Sequence, residues 1–235
     1  MSRQHPVKAV LFDAYGTLFD VYSVSHVAEQ LFPGRGEKLA LLWRDKQIEY
    51  TRLLTMSGRY TPFWEITCAA LRYAVQRFEL PLDAAGETQL LNQYRHLSAF
   101  PENLAVLTAL KKHGVPAGIL SNGDPAMLAV AVRSAGLKDL LAHVLSVDTV
   151  KRFKTDPAAY ALGPQALGLP AKEILFVSSN CWDAIGATWY GYTTLWVNRQ
   201  GAPLEQLDTA PTRTGASLRE VLTFFRIPAS AHSSP

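Results

Sequence analysis

The chain has 235 residues, 48% of them hydrophobic and 18% charged, with a formal net charge of +3. This is globular material with enough chain to bury a sizeable core, and so small a charge with no lysine and arginine run excludes a nucleic-acid or membrane-surface partner while suiting small anionic substrates. The two cysteines, Cys68 and Cys181, are far apart and in no CxxC spacing, which reads as reduced thiols rather than a disulfide or zinc site. No run approaches bilayer length, and MSRQHPVKAV lacks a signal peptide's apolar segment. A soluble cytoplasmic protein is therefore expected.

In chain order, Ala9-Val10-Leu11-Phe12 is an apolar run without polar alternation, the pattern of a strand buried on both faces. It stops at Asp13, where the chain continues Gly16-Thr17. A carboxylate leaving a buried strand either caps a turn or does chemistry, because a buried charge needs partners and open α/β sheets bind ligands at the carboxyl ends of their strands. Ser25 to Leu97 carries apolar residues at helical spacing. One helix passes through Leu39, Trp43, Tyr50 and Leu54; Thr61-Pro62 reads as the N-cap and first turn of a second through Phe78; a third spans Asp83 to His96. From Pro101 helices and strands alternate, with strands at Ala117–Leu120, His143–Val147, Ile174–Val177 and Thr193–Val197 and a terminal helix at Leu218–Phe225.

The expected fold is α/β, a doubly wound, mostly parallel Rossmann-like sheet core with an inserted helical cap. Residues 1–20 and 99–227 would form the core, 21–98 the cap, and 228–235 a disordered tail. Polar residues recur where the strands end: Asp13, Ser121 with Asn122, Lys154, and Ser178 to Asp183. Each has a bland reading as turn, cap or solvated cation. Jointly, at equivalent strand ends, they point to one site.

The string DAYGTLFD resembles the first motif of the haloacid dehalogenase superfamily, in which the aspartate is a covalent nucleophile. Phosphatases of that superfamily carry a second aspartate that protonates the leaving alkoxide. Here Tyr15 stands at that position, and a phenol with a pKa of about 10 is a poor acid for the task. The site therefore suits a leaving group that needs no proton, such as a halide. The strings LWRDKQIEYT, SNGD, FKTDPAAY and SSNCWDAIGA, in this order, resemble the L-2-haloacid dehalogenases of the configuration-inverting type, and coverage runs from about Val7 to Arg226.

That resemblance implies Asp13 as nucleophile, with Lys154, Thr17 and Ser178 holding it ionised and oriented. Asp183 becomes the general base for ester hydrolysis, with Asn180 placing the water and Tyr160 ordering the lysine. Arg44, Asn122 and Trp182 form the halide cradle. Ser121 and the backbone N–H groups of Ala14 and Tyr15 take the substrate carboxylate, while Tyr15, Phe63 and Trp182 wall the pocket. It implies no metal, no cofactor, a small 2-haloacid substrate with halide as product, and a homodimer. Asp45 stands where the family commonly has glutamine, which bears on pocket charge or substrate size, and Thr155 replaces a frequent proline after Lys154. Two other readings stay open: a metal-dependent phosphatase or phosphonate hydrolase of the same superfamily, and a catalytically silent relative that binds a small anion or a protein.

Overall fold

The computed structural model describes residues 6–228, so the expected tail lies, apart from Pro228, outside the described residues. β1 (Ala9–Phe12) is fully buried along its length, as an unbroken apolar run requires. It lies inside a six-stranded parallel sheet with β2 (Ala117–Ser121), β3 (His143–Ser146), β4 (Ile174–Ser178), β5 (Thr193–Val197) and β6 (Arg213–Gly215). The strand order β3-β2-β1-β4-β5-β6 reverses direction between β1 and β4. Such a reversal opens a crevice at the carboxyl ends of the two strands. Because Phe12 pairs with Val177, Asp13 emerges beside Ser178, and the Asp13 N–H donates to Val177 O at 2.8 Å.

Side-chain alternation along β1 sends Val10 and Phe12 to one face of the sheet and Leu11 to the other. The first face is covered by α5 (Asn103–Lys112), α6 (Pro125–Ser134) and the terminal segment around Leu218 and Val221. Tyr160 of α7 (Pro157–Leu167) and Ala187 of α8 (Cys181–Tyr190) cover the second. The sheet is thus doubly wound, as expected.

Between β1 and α5 the chain inserts α1 (Ser25–Leu31), α2 (Gly36–Met56), α3 (Phe63–Arg77) and α4 (Ala84–Arg95). The buried stripe of α2 runs Leu39, Ala40, Trp43, Arg44, Gln47 and Thr51, the spacing of a helix with one covered face. Trp43 Nε1 and Gln47 Nε2 donate to the backbone and hydroxyl of Thr67 on α3, at 2.8 and 2.9 Å.

The secondary structure departs from the sequence expectations at α1, β6, the terminal helix and the start of α3. Helix α1 is additional, seven residues being too few to show a period. β6 is also additional, its sequence Arg-Thr-Gly carrying no apolar pattern. The terminal helix is only Val221–Phe224, preceded by a 3-10 turn. Finally, Pro62 rather than Thr61 is the residue before α3, so Thr61 is one position too early to cap it. The carboxylate of Asp124 does so from the core, its Oδ2 accepting from Trp64 N at 3.1 Å while Oδ1 caps α6 through Met127 N at 3.0 Å.

Candidate active site

Asp13 sits one residue past β1, and only 6% of its surface reaches solvent. The chain reverses through Gly16, whose φ of +95° is a conformation that L side chains rarely adopt. This turn brings Thr17 back onto the carboxylate, and Thr17 Oγ1 donates to Asp13 Oδ2 at 3.0 Å while accepting from Ser179 N at 2.8 Å. Asn180 Nδ2 donates to the same Oδ2 at 3.0 Å and to Tyr15 O at 3.2 Å. Ser178 departs from expectation. Its hydroxyl accepts from Asn180 N at 3.1 Å, so it reaches Asp13 through Asn180 and not directly.

Lys154 lies between two carboxylates, its Nζ 3.1 Å from Asp13 Oδ1 and 2.9 Å from Asp183 Oδ2. The ammonium also rests 4.8 Å from the centre of the Phe176 ring, a cation–π contact the sequence did not indicate. Burial works to lower the lysine pKa, but Asp13 and Asp183 outweigh it and hold the value above normal. Asp183 is sealed completely. Burial, with help from the negative charge of Asp13, outweighs Lys154 and Tyr160 and raises its pKa to about 6.

Tyr160 also departs from expectation. Its hydroxyl donates to Asp183 Oδ1 at 2.7 Å and lies 3.1 Å from the Asp183 carbonyl oxygen, so it orders the acid rather than the lysine. Burial and then the charge of Asp183 push the phenol pKa well above its ordinary value, which keeps the group a donor. Asn122, expected in the halide cradle, accepts through Oδ1 from Lys154 N at 2.9 Å and so fixes the lysine loop. Ser121 is buried at the end of β2, where its Oγ accepts from Gly123 N at 3.0 Å and keeps its own proton to give. Among the described residues, the N–H groups of Ala14 and Tyr15 donate to no backbone acceptor in the turn they begin.

Arg44 enters from α2 and is buried, its Nη2 donating to Tyr15 O at 3.1 Å and to Asn180 Oδ1 at 3.5 Å. Trp182 stands elsewhere: its ring packs under the Arg52 guanidinium at 5.2 Å and lines an outer recess with Asp45, Ile48 and Glu205. Asp45 is exposed in that recess, so its charge is turned to solvent. The aromatic wall is accordingly different from the expected one. Tyr15 and Phe63 do meet, with ring centres 5.8 Å apart, but Tyr94 stacks on Tyr15 at 6.0 Å and Phe153 reaches Phe63 at 6.4 Å where Trp182 was expected. Gly123 permits this seating, since a Cβ there would come within 2.6 Å of the Tyr15 ring.

Tyr94 and Phe153 were missed because an aromatic on a helix or in a loop reads first as core. Arg199 was missed although a signal existed, for it lies two residues past β5, another strand end. It donates from Nη1 to Ser179 Oγ at 2.6 Å and from Nη2 to Thr17 O at 3.2 Å and Glu102 Oε1 at 2.9 Å. Together with Gly16, Arg44 and Asn180 it lines a cleft of about 480 Å³. Among the described residues, no three His, Cys, Asp or Glu side chains gather as metal ligands.

Known proteins resemble this chain in sequence and in fold. Residues 7–191 match the model of the haloacid dehalogenase-like hydrolases. The chain is 44% identical to an (S)-2-haloacid dehalogenase of Pseudomonas sp. (strain YL), over 93% of this chain and 94% of that protein. A crystal structure of an L-2-haloacid dehalogenase with 57% identity superposes with a TM-score of 0.92, covering 94% of this chain and all (100%) of the other. The L-2-haloacid dehalogenase from Xanthobacter autotrophicus with chloropropionic acid covalently bound, 36% identical, superposes at 0.86 over 95% of this chain and 100% of that one.

Proposed function

This chain belongs to the haloacid dehalogenase-like hydrolase family, in its L-2-haloacid dehalogenase branch, and from that premise we propose that it hydrolyses L-2-haloalkanoic acids to D-2-hydroxy acids and halide. The observation that carries the reading is a nucleophilic and a basic carboxylate sharing one buried lysine, in a site with Tyr15 where a phosphatase needs an acid.

In this reading Ser121 and the free N–H groups of Ala14 and Tyr15 bind the substrate carboxylate. Tyr15, Phe63 and Tyr94 enclose C2 and the halogen. A carboxylate in water is a weak nucleophile because it is heavily solvated; Asp13, nearly out of solvent and held by Thr17, Asn180 and Lys154, meets C2 already oriented. Its oxygen forms a bond to C2 from the side opposite the halogen. The halide leaves with the carbon–halogen electron pair, and C2 is inverted. Arg44, buried against Tyr15 O and Asn180 Oδ1, meets the halide as its charge develops, with donors fixed in one plane.

Hydrolysis follows at the other carboxylate. A water attacks the Asp13 carbonyl carbon and gives its proton to Asp183, and the tetrahedral intermediate expels the 2-hydroxy acid as an alkoxide that takes the proton back. Asp13 is regenerated carrying the water's oxygen, once the second proton of that water, left on its carboxyl group, is released to solvent. Asp183, raised to about 6 in the free enzyme and lower once Asp13 is esterified, is ionised at neutral pH and available as this base.

Three coarser extensions belong to the same proposal. Residues 21–98 act as a cap over a core of 1–20 and 99–227, supported by α2 and α3 delivering Arg44 and Phe63 to the site. Family analogy and the exposed Leu41, Leu53 and Met56 of α2 support a homodimer. No helix of the described residues is long and apolar enough to cross a membrane, which accords with a cytoplasmic enzyme.

The test is halide release from each enantiomer of 2-chloropropionate with excess chelator, beside an aryl phosphate assay with magnesium. Chloride from the L enantiomer alone, unaffected by chelator and accompanied by D-lactate, is the expected result. Phosphate release with no chloride from either enantiomer would sink the assignment.

A further inference from the structure

We propose that Arg199 is a positioning residue for the nucleophile, clamping the loop after β1 to the loop after β4 so that Thr17 keeps its hydrogen bond to Asp13. The kinetic part of this inference rests on the aspartyl-ester reading above. The clamp itself rests on geometry alone.

The guanidinium joins three segments that are distant in sequence. Its Nη2 holds the main chain of the nucleophile loop through Thr17 O at 3.2 Å, and its Nη1 holds the Ser179 hydroxyl at 2.6 Å. Ser179 in turn donates its N–H to Thr17 Oγ1 at 2.8 Å, which closes a ring of three residues around the group that orients Asp13 Oδ2. Arg199 is itself fixed in place. Glu102 accepts from Nη2 at 2.9 Å, and the guanidinium carbon Cζ lies 3.8 Å from the centre of the Phe100 ring. Glu102 and Phe100 lie just ahead of α5, where the chain re-enters the sheet layer after α4. The ring therefore ties the nucleophile loop to both neighbouring segments of the core.

The task requires arginine. Two terminal nitrogens in one plane reach acceptors on two loops and a carboxylate at once, whereas a lysine presents a single nitrogen that keeps the ion pair with Glu102 and loses the fork. Without the fork, Thr17 O and Ser179 Oγ are no longer held in common, and the Thr17 hydroxyl loses the fixed amide that aims its proton at Asp13.

The experiment uses Arg199→Lys, Thr17→Val and the double variant, with single-turnover chloride release from L-2-chloropropionate, KM, thermal midpoint, and hydrogen exchange of the Ser179 amide. Arg199→Lys is expected to slow chloride release by about 10- to 100-fold, the effect of one lost hydrogen bond to a charged group. KM and the thermal midpoint should stay near wild type, and the Ser179 amide should exchange faster. Adding Arg199→Lys to Thr17→Val should cost nothing further, because both act through one hydroxyl. Release at the wild-type rate, an unchanged Ser179 amide, or losses that multiply in the double variant would each overturn the proposal. If Arg199→Lys does not fold, Ser179→Ala removes the Nη1 acceptor with Arg199 in place and must show the same non-additivity. Should the wild-type protein release no halide from any haloacid, the reaction reading fails by itself, and exchange at Ser179 still decides the clamp.

Discussion

The two ends of the Lys154 ammonium hold the same functional group in different surroundings. At the β1 end, Asp13 keeps a 6% opening to solvent and takes hydrogen bonds from Thr17, Asn180 and Lys154. At the α8 end, Asp183 is sealed, with the lysine and the Tyr160 phenol on its carboxylate and a pKa raised to about 6. Environment assigns the work. In the proposed mechanism the carboxylate that keeps an opening to solvent attacks carbon, and the one behind the lysine receives a proton and gives it back.

Removing the lysine breaks the comparison most severely. Lys154→Met leaves two carboxylates facing each other in a buried site, and is expected to abolish halide release and to destabilise the fold by about 3–5 kcal/mol. Urea unfolding and a chloride assay measure both, and a stable, active variant would show that the shared cation is dispensable.

Asp183→Asn separates the two roles. Asp13 still attacks, but nothing accepts the proton of the hydrolytic water. The variant should release one equivalent of halide per site and then stop, with the substrate's acyl mass retained on the protein in intact-mass spectra. Sustained turnover would move the base elsewhere.

Tyr160→Phe gives the smallest and sharpest effect. The phenol donates to the charged form of Asp183, so its loss raises that pKa. The sign follows directly: the base works deprotonated, so ester hydrolysis falls as pH drops through the Asp183 titration. In the ester Asp13 is neutral and its like charge is gone, which puts the wild-type limb below about 6. In the variant the limb should move up by about one pH unit. A pH profile of ester breakdown that is unmoved, or moved down, would contradict the role given to Tyr160.

Much of this was legible in the sequence because strand ends announce themselves. An apolar run that stops at Asp13, Ser121 or Ser178 marks both the sheet and the edge where its polar residues collect, and the resemblance added Arg44 and Phe63 on a region that periodicity described only as helical. What was not legible depends on direction. Ser178 and Tyr160 belong to the site, yet which neighbour each hydroxyl meets is set by side-chain orientation that no spacing encodes. Asn180 is the extended residue that precedes α8 and Trp182 lies inside the helix, and no spacing shows that Asn180 takes Asp13 while Trp182 goes to the outer recess. β6 escaped notice because three polar residues pair by backbone alone.

The most direct test of the account is a single turnover in ¹⁸O-labelled water with enzyme in excess over L-2-chloropropionate. Unlabelled D-lactate is expected, with one ¹⁸O in the peptide that carries Asp13. Label in the lactate and none in that peptide would mean that water attacks C2 itself, and the covalent role of Asp13 would be lost.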